Sequence, residues 1–123
     1  MTTQSNRPIV LVVEDEPITL MDALDLVTGA GFEALWARNA DEAIKILEHR
    51  NDIRVIFTDI NMPGSMDGLK LAHAVRNRWP PIEIIVTSAL NLNAIQQLPE
   101  RGVFLVKPYT PAQVASALRK FAA

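Results

Sequence analysis

Asp59 stands where a buried strand runs out. The run before it, Ile53-Arg54-Val55-Ile56-Phe57, is mostly β-branched or aromatic, and the stretch after it carries Pro63, Gly64 and Gly68, which break regular structure. Ligands of open α/β sheets gather at the carboxyl ends of the strands, so an acid there is a candidate nucleophile or metal ligand. Other polar groups share this kind of position: Glu14-Asp15-Glu16 after the apolar run Ile9 to Val13, Thr87-Ser88 after Ile82 to Val86, and Lys107 after Val103 to Val106. Taken singly, Glu14 and Asp15 read as helix caps, Thr87 as a strand end and Lys107 as a solvated charge. Asp59 itself reads as a cap of the next helix. The convergence of four strand ends on one edge favours chemistry over these separate readings.

The elements that must hold those groups follow from the periodicity. Apolar runs of strand length alternate with helical patterns five times. After the first strand, Pro17 suits a helix's first turn, Leu20, Leu24 and Val27 recur at helical spacing, and Gly29 and Gly31 end the helix. Phe32 to Ala37 alternates like a half-exposed strand, and Asn39 with Glu42 forms a capping box for a helix through Leu47, closed by His49-Arg50-Asn51. A third helix spans Asp67, its N-cap, to Arg78. The last helix has Thr110 as N-cap, Pro111 in its first position, and Val114, Ala117, Leu118 and Phe121 on one face. Strands one, three and four are nearly all apolar, as when both faces of a parallel sheet are covered. Strict alternation predicts a doubly wound parallel sheet of five strands and five helices; the strand order taken for it is 2-1-3-4-5. Trp36 and Trp79 read as packing residues, and His49 and His73 as ordinary helix residues.

The chain has 123 residues, 49% of them hydrophobic, which suits one domain with a full core, taken as residues 1–123. Net charge is −2 and no Lys/Arg cluster occurs, so neither nucleic acid nor an anionic membrane is expected as a partner. Cysteine is absent, Met1 to Arg7 lacks the apolar core of a signal peptide, and no apolar stretch is long enough to span a bilayer. A cytoplasmic protein is expected. There is no internal repeat, low-complexity tract or linker.

The acidic pair Glu14-Asp15, Asp59 within Asp-Ile-Asn-Met-Pro, Thr87-Ser88 and Lys107-Pro108, in this order on these strand ends, resemble the receiver domain of two-component response regulators over essentially the whole chain. The resemblance implies that Asp59 accepts a phosphoryl group from a phosphohistidine on a sensor histidine kinase or a histidine phosphotransfer protein. It also implies Mg²⁺, held directly by Asp15 and Asp59, through water by Glu14, and by the backbone carbonyl of Asn61. Glu16 is left to serve the helix N-terminus. Lys107, the Thr87 hydroxyl and the Ser88 N–H would bind the phosphoryl oxygens, and Phe104 would hold the aromatic switch position, without the hydroxyl that many relatives carry there. A packing role for Phe104 weighs about equally. A cis peptide at Lys107-Pro108 is a further expectation.

Two departures matter. The loop Gly64-Ser65-Met66 is one residue longer than the common Met-Pro-x-Met-Asp-Gly form, and the stretch Asn91 to Leu98, with two asparagines and Pro99 after it, predicts a short fourth helix. With Leu92, Ile95 and Leu98 as its few anchors, the segment Leu90 to Gly102 is expected to be the least stable part of the fold. With strand five, the last helix and Tyr109, it is expected to form the surface for an unknown downstream protein. The function expected is that of a stand-alone, single-domain response regulator, signalling by partner binding or phosphate relay, and not an enzyme in its own right. A phosphorylation-independent interaction module would be favoured by loss of Asp59 or Lys107, and both are present. An aspartyl phosphatase usually needs a second acid two residues after the nucleophile, where Asn61 stands.

Overall fold

A computed structural model describes residues 7–122 except Pro63, Ser65 and Leu90. The N-terminal stretch before Arg7, two residues of the lengthened loop and the first residue of the segment expected to be least stable therefore lie outside the described residues. The elements are β1 (Ile9–Val13), α1 (Pro17–Gly29), β2 (Glu33–Ala37), α2 (Ala40–His49), β3 (Ile53–Asp59), α3 (Gly68–Arg78), β4 (Glu83–Ser88), α4 (Leu92–Gln96), β5 (Gly102–Val106) and α5 (Pro111–Ala122). All strand pairs are parallel, in the order β2-β1-β3-β4-β5. The chain leaves β1 toward one edge and returns at β3 to build toward the other. The crevice where this order reverses lies between the carboxyl ends of β1 and β3.

Side-chain alternation along the strands divides the core into two layers. Leu11, Val13, Ile56, Ile84 and Val86 pack with Leu47 of α2 and with Leu71 and Val75 of α3. Val10, Val12, Val55, Phe57 and Ile85 face the other way, against Leu20 and Val27 of α1 and Val114 and Leu118 of α5. Both faces of the central strands are thus covered, which accounts for their continuous apolar runs.

The helix starts are fixed by side chains. Glu16 caps α1 by accepting from Thr19 N–H at 2.8 Å, and the Asp67 carboxylate accepts from Lys70 N–H at 2.8 Å. Asn39 caps α2, while the returning Glu42 carboxylate takes the Arg38 N–H at 2.9 Å, one residue earlier than in the usual capping box. Thr110 and Gln113 exchange hydrogen bonds at the head of α5. Gly31, at φ 95°, makes the left-handed turn into β2 that a side chain would disfavour.

One of the two tryptophan readings changes. Trp36 is not a packing residue: it is 57% exposed, because β2 is an edge strand and the run Ala34 to Ala37 is all apolar, so residue type does not mark which of its positions is left uncovered. Trp79 is half-buried, with the Arg78 guanidinium 4.4 Å above its ring. The fourth helix is short, as expected. It has five residues, Ala94 is its only buried one, and Leu92 is 67% exposed.

Leu11 is fully buried in the central layer. Leu11→Ala is expected to lower unfolding free energy by about 2–5 kcal/mol through lost burial and the cavity it leaves. Urea denaturation would read this as a lower midpoint at unchanged slope.

Candidate functional site

Each site residue sits one step from, or at, the end of a strand, and a main-chain hydrogen bond fixes it there. Glu14 N–H donates to Ala37 O at 3.1 Å, Ile60 N–H to Thr87 O at 3.0 Å, and Lys107 N–H to Ser88 O at 2.8 Å. These bonds carry the sheet ladder past its last paired residues. The Glu14, Asp59, Thr87 and Lys107 side chains therefore start from rigid positions on four adjacent strands. In register, Asp59 is the partner of Thr87.

Lys107 joins the acids. Its Nζ lies 3.1 Å from Asp59 Oδ2 and 3.4 Å from Glu14 Oε1. Both carboxylates are buried, while Lys107 keeps part of its surface in solvent and Asp15 is exposed. Burial pushes the Glu14 carboxyl up from its ordinary range, and the Asp59 charge adds to this; the Glu16 N–H and Lys107 oppose it. Burial alone would lower the Lys107 amine, but hydrogen bonding and charge attraction to Asp59, reinforced by Glu14, leave it raised. The lysine is therefore a fixed cation here.

Oxygens of Glu14, Asp15 and Asp59 lie within 4.8 Å of one another. Three carboxylates against one amine leave the pocket anionic, and every donor is a hard oxygen. That set fits Mg²⁺ better than a softer transition metal. Asn61 follows closely: its N–H donates to Asp59 Oδ1 at 3.3 Å and its Nδ2 to Ser88 Oγ at 3.5 Å. Thr87 and Ser88 are both buried beside Asp59.

Phe104 is not part of this cluster. It is half-buried on β5, in register with Val86, and packs against the core layer containing α3 and Ala94 of α4. Arg38 also stays away from the edge cluster, bound to Glu42. The Lys107-Pro108 peptide is cis, as expected.

Sequence reasoning missed the role of Gly68. It is not a breaker but the first residue of α3, and its N–H donates to Ile60 O at 2.9 Å. A Cβ on Gly68 would lie 1.9 Å from Asp59 O and 2.7 Å from Asp59 C. The first turn of α3 thus rests directly on the backbone of Asp59. The available signal was the glycine next to the capping Asp67, a position where a helix former would otherwise be favoured. Tyr109 was also placed only loosely by the sequence. It is half-buried, edge-on to Phe57 with ring centroids 5.7 Å apart.

A doubly wound α/β sheet with an acidic pocket and a lysine at its topological switch point is the architecture of a signalling phosphoacceptor module. The chain belongs to the response regulator receiver domain family, whose model matches residues 10–119. The chemotaxis protein CheY of Thermotoga maritima is 35% identical over 116 residues, covering 90% of this chain and 94% of that protein. The phyllosphere-induced regulator PhyR of Methylorubrum extorquens is 28% identical over 89% of this chain, but the match spans only 41% of PhyR. A response regulator receiver protein from Sinorhizobium medicae superposes with a TM-score of 0.87 at 27% identity, over 94% of each chain.

Gly68→Ala is expected to destabilise the fold by roughly 1–3 kcal/mol, because the added methyl meets main chain rather than a flexible side chain. Chemical denaturation measures this; a substitution as mild as one on an exposed helix face would contradict the close packing.

Proposed function

We propose that the chain, as one domain over residues 1–123, is a single-domain response regulator that takes a phosphoryl group onto Asp59. The observation that carries this is the Asp59 carboxylate, buried at the end of the central strand yet held 3.1 Å from a lysine amine. The donor is a phosphohistidine on a sensor histidine kinase or a histidine phosphotransfer protein. The output is a change in the binding of another protein, or onward relay of phosphate.

The chemistry is an in-line displacement. An Asp59 oxygen attacks phosphorus, the P–N bond to the donor imidazole breaks, and its electron pair stays on the imidazole nitrogen, which takes up a proton. Lys107 holds positive charge against the transferring oxygens. The Thr87 hydroxyl and Ser88 N–H donate hydrogen bonds to them. Asp15 and Asp59 directly, Glu14 through water, and the Asn61 carbonyl would hold Mg²⁺. When bound, Mg²⁺ supplies the charge that lets an anionic phosphoryl group approach an anionic pocket. Movement of Thr87 toward the phosphoryl group would leave space that Phe104, on the neighbouring strand β5, can occupy. Asn61 in place of a second acid speaks against a phosphatase.

Intact-mass measurement after treatment with an acyl phosphate and Mg²⁺ tests the acceptor. Wild type should gain one phosphoryl group, and Asp59→Asn should lose that gain while keeping the fold; full uptake by the variant would sink the assignment. Uptake should also stop when a chelator removes divalent cations, and Asp15→Asn should slow it more than Glu14→Gln. Equal uptake with and without chelator would rule out the metal role.

A further inference from the structure

The short α4 is held very differently at its two ends. Its front has the Asn91 cap, accepting from Ala94 N–H at 3.1 Å, and a single buried side chain, Ala94. Its back end and the following turn are tied down by side chains that donate to main-chain carbonyls. His73 of α3 has Nε2 2.6 Å from Gln97 O; since a carbonyl only accepts, that nitrogen carries the proton. Arg76, one turn on, donates from Nε to Glu100 O at 2.8 Å and from Nη1 to Pro80 O and Ile82 O at 2.6 and 2.7 Å. Arg101 answers from the other side, donating to Pro80 O at 2.8 Å and pairing with Glu83 at 3.3 Å. Three side chains, two of them arginines, thus link the α4–β5 turn, α3 and the α3–β4 turn.

The arrangement is held against local cost. Arg101 sits at φ 62°, a backbone region that a side chain disfavours. The buried Nη2 of Arg76 has no hydrogen-bond partner, and burial, with the Arg101 charge adding, depresses its guanidinium's proton affinity. Pro99 is buried within the same turn. Nothing comparable holds Leu92 or Ile95, both exposed.

We infer that His73, Arg76 and Arg101 form a brace that pins residues 97–102 to α3, so that only the front of the segment, residues 91–96, rearranges when the site is phosphorylated. Gln97 is the hinge: its carbonyl is bound to His73, while its N–H still closes the last turn of α4 on Asn93 O and Ala94 O. This divides the segment whose instability the sequence predicts for its whole length. The confinement of the response rests on phosphoryl transfer to Asp59; the brace itself does not.

Hydrogen exchange on the intact protein, with and without an acyl phosphate and Mg²⁺, tests both parts. Without phosphodonor, residues 97–103 should be protected in wild type, and Arg76→Met should speed their exchange roughly tenfold or more as charge-assisted bonds are lost. His73→Ala, at an exposed side chain, should give a smaller rise and carries the test if Arg76→Met fails to fold. With phosphodonor, wild type should change at residues 91–96 and not at 97–103, whereas Arg76→Met should let the change spread into 97–103. Protection within roughly twofold of wild type in both variants would overturn the brace. Equal changes across 91–103 in phosphorylated wild type would overturn the confinement. Intact mass of the same samples reports whether phosphate was accepted; failure there counts against the acceptor reading and leaves the first comparison decisive.

Discussion

Two buried carboxylates share one cation, and the fold is organised around making that possible. Glu14 and Asp59 leave solvent only because Lys107 meets both, and an unpaired buried charge would carry a penalty of several kcal/mol, on the order of what holds a small domain together. The three residues are far apart in sequence. A parallel sheet is what brings them together: it points every strand the same way, so residues following β1, β3 and β5 arrive at one edge. The hydrogen bonds that extend the ladder past each strand then fix where the side chains begin. The lysine neutralises only part of the charge, which leaves the pocket receptive to a dication.

The surroundings of that pocket differ in stiffness. On the α3 side, Gly68 brings the first helical turn onto the main chain of Asp59, and the far end of α3 grips the turn before β5 through His73 and Arg76. On the α4 side, a five-residue helix with one buried alanine spans the gap. A helix this short draws little stability from its own hydrogen bonds, so its position is set by what touches it. The rigid parts of the molecule hold the chemistry, and the weakly held part lies next to it.

Much of this was legible in the residues. Continuous Val, Ile and Leu runs announced strands covered on both faces, and Asn39, Asp67 and Thr110 marked helix starts that the structure reproduces. The acids, hydroxyls and lysine could be assigned to one edge because strand direction follows from β-α alternation alone. What could not be read depends on distances between elements that local pattern does not encode. Gly68 looked like a breaker because its neighbour, the Asp59 carbonyl, belongs to another element. Trp36 looked like core because Ala34 to Ala37 are all apolar, and residue type alone does not mark which of them the edge strand leaves uncovered. All the contacts from Arg76, and one of the two from Arg101, go to main-chain carbonyls, which leave no trace in side-chain identity.

The contact between Gly68 and Asp59 also bears on how such a site can diversify. Where a helix backbone lies against the main chain of Asp59, a side chain at Gly68 must displace main chain, so change at that point is costly. The opposite flank is different: Asn61, Ser88, Ala89 and Asn91 line an open cavity of about 500 Å³ beside the acid cluster. Substitutions there change the volume and polarity next to the carboxylate without moving it. Change around the carboxylate is thereby easier on the open side, where it alters what can reach Asp59 without moving it.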